Sequence, residues 1–314
     1  MKNVNKLTEG AILLAVLAAL IFITIYVPVI GSILNLALPL PFIMFAAKNN
    51  VKNISAFFLA GIFISFIAGS FIGIGLMLIY GAAGVVIGYL LQKNKSRTAI
   101  FISSSLTYMA GFVIFYIVVV AFLKMDIIHE FTLMLNESFK SSQVLLKAMG
   151  NEEQLKQLQA QNAALIKTIE TLAPSALIMA SFFATFLTQW ICFPIAKRFG
   201  VKVEPWGNIR NMILPRSLLW YYLIVIVANM LFHPQEGTYI YTALINLKSI
   251  LEMFLIVQGL SFLFYIFHQR SVSKGLRAFI VILAFIIPIF RTIILILGIT
   301  DMGFEFRKRI EKKE

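Results

Sequence analysis

The sequence predicts an all-α polytopic membrane protein with eight or nine transmembrane segments and an extracytoplasmic two-helix hairpin inserted among them. Of its 314 residues, 60% are hydrophobic and only 13% are charged, whereas soluble domains carry about 25% charged residues. Apolar runs of at least about 18 residues recur along the chain, and each is long enough to cross a hydrocarbon core of about 30 Å. These observations exclude a soluble globular fold.

The first two apolar runs differ in regularity. The run 10–27 is uninterrupted and predicts a straight first span. Small residues lie at four-residue steps on one face of that span: Ala11, Ala15 and Ala19. The next run, 29–47, contains Asn35 and two prolines, and each proline removes a backbone donor from a helix. We therefore expect the second run to be bent or partly unwound.

Small residues mark the two apolar spans predicted within 53–91. They recur at four-residue steps, at Gly61, Ser65, Gly69 and Gly73, and again at Gly84 and Gly88. On a helix this spacing forms a flat strip against which another backbone packs closely. We predict that these residues serve helix packing and that the two spans form the centre of the membrane domain.

The segment 124–173 is more polar than the spans on either side of it. It breaks at Gly150 and Asn151, and apolar residues follow alternating three- and four-residue steps before and after the break. Such spacing is typical of coiled coils, so we predict an antiparallel two-helix hairpin with Asn162 in its seam. Either the hairpin pairs with itself or its seam binds a partner helix.

We divide the chain into a membrane core, a basic cytoplasmic loop, a second group of membrane helices and a basic tail. Their ranges are 1–196, 197–216, 217–300 and 301–314. The positive-inside rule places the N-terminus in the cytoplasm, because Lys and Arg then concentrate in the loops that face inward. The insert at 124–173 is then extracytoplasmic.

The last apolar run leaves two topologies open. Pro288 and Arg291 interrupt this run, and the tail beyond it carries Arg307 and further cations. A straight ninth span would place those cations outside, against the positive-inside rule. A run that turns back near Pro288 as two half-helices would return the tail to the cytoplasm.

The motifs of several function classes are missing from the sequence. There is no G-x-x-x-x-G-K-[ST] phosphate-binding loop, so no ATPase is predicted within this chain. The three histidines are separated from one another and from the single cysteine, Cys192, so no metal site is predicted. The net charge of +13 lies largely in short loops between spans, which indicates topology rather than nucleic-acid binding. We predict no cofactor, no catalytic residue and no enzymatic activity.

Polar residues inside predicted spans are energetically costly, so they are candidates for function. Glu252, Arg291, Gln258 and Asn35 are weak ligand-binding candidates by this criterion. Glu252 and Arg291 also suit a structural ion pair if the last two elements pack together. Gln258 and Asn35 also suit hydrogen bonding between helices.

The N-terminal part of the chain resembles a family of transport subunits. An alanine-lined first helix, a proline-rich second segment and a glycine-rich third helix lead to GVVIGYLLQKNKSR (84–97). This order is similar to that of the substrate-binding S-components of energy-coupling-factor vitamin transporters. The resemblance implies a six-helix core that binds a small molecule and contacts a separate coupling subunit through Ala11, Ala15 and Ala19. The insert and the helices after 196 depart from that pattern.

Three later segments resemble the YybS-like family of uncharacterised bacterial membrane proteins. They are LPRSLLWYYL (214–223), VQGLSFLF (257–264) and LGITDMGFEFRKR (297–309). The similarity extends over nearly the whole chain, so it implies a multi-pass protein of the bacterial cell membrane. It implies no particular activity.

We consider two hypotheses about the function of the protein, from different classes. The first is a small-molecule binding or transport subunit without its own ATPase, which works with a coupling subunit. The alternative is a membrane scaffold or assembly factor that acts through the outer hairpin and the basic cytoplasmic loop. The expected partners are the lipid bilayer and another membrane protein or a second copy of the chain.

Overall fold

A computed structural model of the protein describes residues 2–148, 152–304 and 306–307. These residues form helices joined by turns and contain no β-strand, which confirms the all-α prediction. In chain order the α-helices are α1 (Lys2–Tyr26), α2 (Pro28–Leu34), α3 (Leu40–Ala46), α4 (Val51–Gln92), α5 (Arg97–Val118), α6 (Ile127–Ala148), α7 (Glu152–Arg198), α8 (Ser217–Phe232), α9 (Tyr239–Gln269), α10 (Lys274–Ile286) and α11 (Pro288–Phe304).

Six of the described helical segments are long and apolar enough to cross a membrane, or seven if the bent pair α10–α11 is one span. The polytopic membrane fold is thus confirmed, whereas the count of eight or nine spans is not. Two features account for the difference. The 42-residue α4 counts as one segment although its backbone is broken inside, and α8 has only 16 residues, fewer than a regular span needs.

The helices form two compact units. Unit 1 consists of Met1–Glu137 with Leu177–Glu204, and unit 2 consists of Ser138–Ala176 with Pro205–Glu314. The long helix α7 therefore contributes its first half to unit 2 and its second half to unit 1. The basic loop predicted at 197–216 is likewise divided between the two units.

The core of unit 1 is built around α4. Its backbone leaves the helical region at Gly69 (φ −150°, ψ 18°) and Ser70 (φ 52°, ψ −145°), and the chain reverses there. A Cβ atom at Gly73 would collide with the carbonyl oxygen of Ser65. In a continuous helix those residues would lie about 12 Å apart, so this contact requires the reversal. The element α4 is therefore two antiparallel helices, in line with the two spans predicted within 53–91. The break at Gly69 and Ser70 places Gly73 on the second helix, so the predicted strip from Gly61 to Gly73 does not lie on one helix.

The second apolar run forms short pieces, of which α3 packs against this helical pair and α2 packs against α1. It forms α2, a 3-10 turn at Asn35–Ala37 and α3, in line with its prolines. A Cβ atom at Gly84 would lie 2.6 Å from the carbonyl oxygen of Pro39, and one at Gly88 would lie 2.6 Å from that of Ile43. The two glycines therefore let the main chain around α3 approach α4 closely.

The second arm of the predicted insert and the span after it belong to one helix. The first arm corresponds to α6, and the predicted break at Gly150 and Asn151 lies outside the described residues. The second arm continues into the following span, because α7 runs through Pro174 as one helix of 47 residues. The carboxamide of Asn246 supplies hydrogen bonds to the main chain of α7 on both sides of the proline, which explains how the helix continues.

In unit 2, α9 and α11 lie side by side and run in the same direction. Contacts follow the same order along both helices: Glu252 with Arg291, Gln258 with Asp301, and Ser261 with Arg307. Gly259 and Gly298 lie where the two backbones touch, because a Cβ atom on either one would collide with the main chain of the other helix.

The last apolar run is bent by 105° between α10 and α11. The helix α10 begins at the turn that follows α9, and α11 then runs parallel to α9. The bent pair therefore starts and ends near the same end of α9. The run is therefore not one straight helix, and it has the break beside Pro288 that the alternative topology requires.

Candidate functional site

The first polar cluster of unit 2 surrounds Glu252 on α9. The Tyr222 hydroxyl donates to Oε1 of Glu252 at 3.2 Å. The ammonium of Lys248 lies 3.8 Å from the same oxygen, and the guanidinium of Arg291 lies 3.7 Å from Oε2. We call these four residues the Glu252 cluster. The structure thus brings together Glu252 and Arg291, which the sequence offered as a candidate ion pair.

The Glu252 cluster is open on its cationic side. The carboxylate is 19% exposed, whereas the side chain of Arg291 is 61% exposed and that of Lys248 is 37% exposed. Two cations face one carboxylate, so the cluster carries a net positive charge. This arrangement suits an anion better than a cation.

The second polar cluster of unit 2 is buried around Asp301 of α11. Its oxygen Oδ2 accepts hydrogen bonds from Nε2 of Gln258 at 2.6 Å and from Nε of Arg307 at 3.0 Å. The guanidinium of Arg307 donates further, to the carbonyl oxygen of Arg210 at 2.7 Å and to Oγ of Ser261 at 3.0 Å. Gln258, Ser261, Asp301 and Arg307 form what we call the Asp301 cluster.

The Asp301 cluster holds the loop before α8 against α9. Oγ of Ser261 lies 2.7 Å from the carbonyl oxygens of both Ile209 and Met212. The amide oxygen of Gln258 accepts a hydrogen bond from the backbone N–H of Leu214 at 2.9 Å. Both ends of the Gln258 carboxamide are therefore occupied within the protein, as expected for a group that joins helices.

The sequence counts Arg307 among the cations of the basic tail, whereas the structure buries its side chain in unit 2. Asp301 is 5% exposed and Arg307 is 7% exposed, and the guanidinium donates to the carboxylate, to the carbonyl oxygen of Arg210 and to Oγ of Ser261. Sequence reasoning missed both residues as members of a site. The sequence feature that could have indicated the pair is an acid at the end of an apolar run, Asp301, followed six residues later by Arg307. The other tail cations, Lys308, Arg309, Lys312 and Lys313, lie outside the described residues.

The three segments that carry the YybS-like resemblance meet at the Asp301 cluster. The segment 214–223 supplies the backbone N–H of Leu214, the segment 257–264 supplies Gln258 and Ser261, and the segment 297–309 supplies Asp301 and Arg307. The similarity therefore describes one place in the fold rather than three separate ones.

A third polar contact of unit 2 involves Asn246 and the proline in α7. The backbone N–H of Ser175 donates to Oδ1 of Asn246 at 2.8 Å, and Nδ2 of Asn246 donates to the carbonyl oxygen of Thr171 at 2.7 Å. In a regular helix Ser175 would donate directly to Thr171, but the ring of Pro174 distorts the turn. The buried carboxamide bridges the two groups instead.

An exposed ion pair lies near this contact. Lys167 of α7 donates to Glu236, in the turn between α8 and α9. Because both side chains are exposed, the pair contributes little to stability.

Unit 1 has its own polar seam, between α5 and α7. The hydroxyl oxygens of Tyr108 and Thr188 lie 2.7 Å apart, and Nε2 of Gln189 donates to Oγ of Ser104 at 3.3 Å. All four side chains are fully buried, so they join the helices. Asn35 also belongs to unit 1, and the structure therefore does not group it with Glu252, Gln258 and Arg291 of unit 2.

The alanine strip of α1 faces away from the core of unit 1. Its members are all exposed: Ala11, Ala15 and Ala19. The opposite face of α1 buries Leu13, Leu17 and Ile21 in the core. Among the described residues, no group of three His, Cys, Asp or Glu side chains is placed to hold a metal ion.

Comparison with known proteins gives the family. Residues 15–302 match the family described as "Predicted membrane protein (DUF2232)". The chain is 32% identical to the "Uncharacterized protein YybS" of Bacillus subtilis (strain 168) over 315 residues, which cover 99% of this chain and 100% of that protein. No solved structure matches the chain, and the resemblance to S-components stays a prediction. The chain belongs to the DUF2232 family of predicted membrane proteins.

Proposed function

We propose that the protein is a small-molecule binding or transport subunit of the bacterial cell membrane, without its own ATPase, that docks through α1 onto a separate membrane subunit. The observation that supports this proposal is the exposure of Ala11, Ala15 and Ala19 on one face of α1. The other face of the helix is already used by the core of unit 1, so the alanine face is free for a partner.

The chemistry of the alanine face suits a helix rather than a ligand. Small side chains at four-residue steps let two backbones approach closely, and contacts of this kind drive association between helices in a bilayer. A motor subunit that binds there would supply the energy source that the chain lacks, because the sequence has no phosphate-binding loop.

Copurification of the full chain with membrane proteins from the native cell tests this proposal. Ala15→Leu places a larger side chain in the proposed interface, and overpacking costs about 1–3 kcal/mol, which corresponds to a loss of affinity of about 5- to 150-fold. Ala110→Leu is the matched control, because Ala110 is an exposed alanine of α5. We expect Ala15→Leu to reduce recovery of the partner and Ala110→Leu to leave it unchanged. Equal recovery in both variants contradicts the docking.

A scaffold or assembly factor is the second proposed function, and α6 is the observation that favours it. This helix lies within the polar insert, yet it exposes large apolar side chains, with Met134 at 68% and Val144 at 66%. Exposed apolar residues outside the bilayer often mark binding sites for other proteins.

Lysine substitutions on the exposed apolar face of α6 distinguish the second proposed function from the first. We expect Met134→Lys with Val144→Lys to abolish copurification of a scaffolded partner, whereas Ser142→Lys on the same helix leaves it intact. If the α6 variant keeps its partners and Ala15→Leu loses them, the scaffold proposal fails and the docking subunit stands.

A further inference from the structure

The cations of the Glu252 cluster have hydrogen-bonding capacity that the protein does not use. Arg291 and Lys248 lie 3.7 Å and 3.8 Å from the carboxylate of Glu252, which is too far for a good hydrogen bond. Within the described part of the chain, neither cation donates a hydrogen bond to another residue. Glu252 instead accepts its hydrogen bond from Tyr222, so it orients the two cations without saturating them.

Apolar side chains are exposed close in sequence to both cations. Leu247 on α9 precedes Lys248, and Ile289 and Ile293 on α11 lie within two residues of Arg291; all three are exposed. The guanidinium of Arg291 is paired with Glu252 only at 3.7 Å, so its donors remain available to an anionic group, and unsatisfied donors beside hydrocarbon are costly. Arginine suits phosphate in particular, since its planar fork can donate two parallel hydrogen bonds.

The position of the cluster along α9 matches the depth of lipid headgroups. Gln269 ends α9 beside the basic turn that contains Arg270. Glu252 lies 17 residues earlier in the sequence, about 26 Å away along the helix. A hydrocarbon core is about 30 Å thick. If Gln269 is at one face of the bilayer, the cluster is close to the opposite face, where phosphates lie.

We propose that Arg291 and Lys248 bind the phosphate of an anionic phospholipid at the bend between α10 and α11. The acyl chains of this lipid lie along the exposed apolar side chains of α9 and α11. The net positive charge of the cluster selects an anionic headgroup over a zwitterionic one. The site does not depend on the docking of α1, which belongs to the other unit.

Native mass spectrometry of the purified full chain in detergent tests the site. The protein is incubated with phosphatidylglycerol, with phosphatidylcholine or with inorganic phosphate. We expect the wild type to retain phosphatidylglycerol preferentially. Each cation near a lipid headgroup contributes about 1 kcal/mol, so Arg291→Gln and Lys248→Gln should each reduce that retention about fivefold. Arg291→Lys keeps the charge and should retain most of the lipid.

Lys140→Gln is the matched control, because it removes an exposed cation of unit 2 on α6, a helix that is not among those long and apolar enough to cross a membrane. Thermal unfolding of every variant checks that the fold is kept. The proposal is overturned if Lys140→Gln loses as much lipid as Arg291→Gln. It is also overturned if phosphatidylcholine is held as well as phosphatidylglycerol, or if inorganic phosphate binds and the lipid does not.

Discussion

The carboxylate of Asp301 and the guanidinium of Arg307 form a buried ion pair at 2.9 Å. Gln258 and Ser261 of α9 complete the hydrogen bonding of the two charged groups. The pair therefore ties the C-terminal end of α11 to α9 and, through the carbonyl of Arg210, to the loop before α8. A tail residue thus becomes part of the interior of unit 2.

Breaking this pair should destabilise unit 2 strongly. Arg307→Gln leaves the carboxylate of Asp301 buried without its cation, and loss of one partner of a buried pair costs about 3–5 kcal/mol. We expect the midpoint of thermal unfolding in detergent to fall clearly. Lys48→Gln breaks the exposed pair with Glu9 and serves as the control, since such pairs contribute about 0–1 kcal/mol. Equal midpoints in the two variants would contradict the structural role of Arg307.

The close approach at Gly84 makes a second stability prediction. A Cβ atom there would lie 2.6 Å from the carbonyl oxygen of Pro39, so Gly84→Ala forces the main chain apart and should cost about 1–3 kcal/mol. At Gly275 a Cβ atom would meet nothing within 4 Å, and Gly275→Ala should leave stability unchanged or raise it slightly. The midpoint of thermal unfolding measures both effects. A neutral Gly84→Ala variant would mean that α3 and α4 are not in close contact.

The features that the sequence predicted well are local ones. Apolar runs locate most of the spans, because the signal lies in adjacent turns of one segment. The ion pair of Glu252 and Arg291 is predictable because two isolated opposite charges in apolar runs have few other partners.

The polar contacts of unit 2 could not be predicted because their partners are distant in the chain. Gln258 and Asp301 are 43 residues apart, and Asn246 lies 75 residues from Thr171. Nothing in the spacing of α7 shows that a carboxamide from α9 will carry the helix past Pro174. For the same reason, the sequence predicts that the insert ends at residue 173, next to Pro174, and does not show that the helix continues.

The effects of substituting Asn246 and Pro174 on the stability of the protein should be coupled. Asn246→Ala removes the two hydrogen bonds to α7, besides one to Thr242 within α9. It leaves the N–H of Ser175 and the carbonyl of Thr171 unpaired, and each buried unpaired group costs about 1–3 kcal/mol. Pro174→Ala lets Ser175 donate directly to Thr171. We therefore expect Asn246→Ala to be much less destabilising in the Pro174→Ala background. A double-mutant cycle by thermal unfolding measures this coupling. Additive effects would contradict the bridge.

The parallel arrangement of α9 and α11 predicts which side of the membrane the tail occupies. Because the bent pair α10–α11 returns to the end of α9 from which it starts, a residue after α11 should share a side with Arg270, at the turn after α9. Tyr239 begins α9 at its other end.

The single native cysteine, Cys192, is buried, so cysteines introduced at exposed sites can be labelled selectively. In intact cells, a membrane-impermeant thiol reagent should label Tyr239→Cys and leave Arg270→Cys and Glu314→Cys unlabelled until the membrane is opened. The positive-inside rule supports this orientation, since the turn after α9 is basic. A straight ninth span would instead place Glu314→Cys on the same side as Tyr239→Cys, and that labelling pattern would contradict the re-entrant topology.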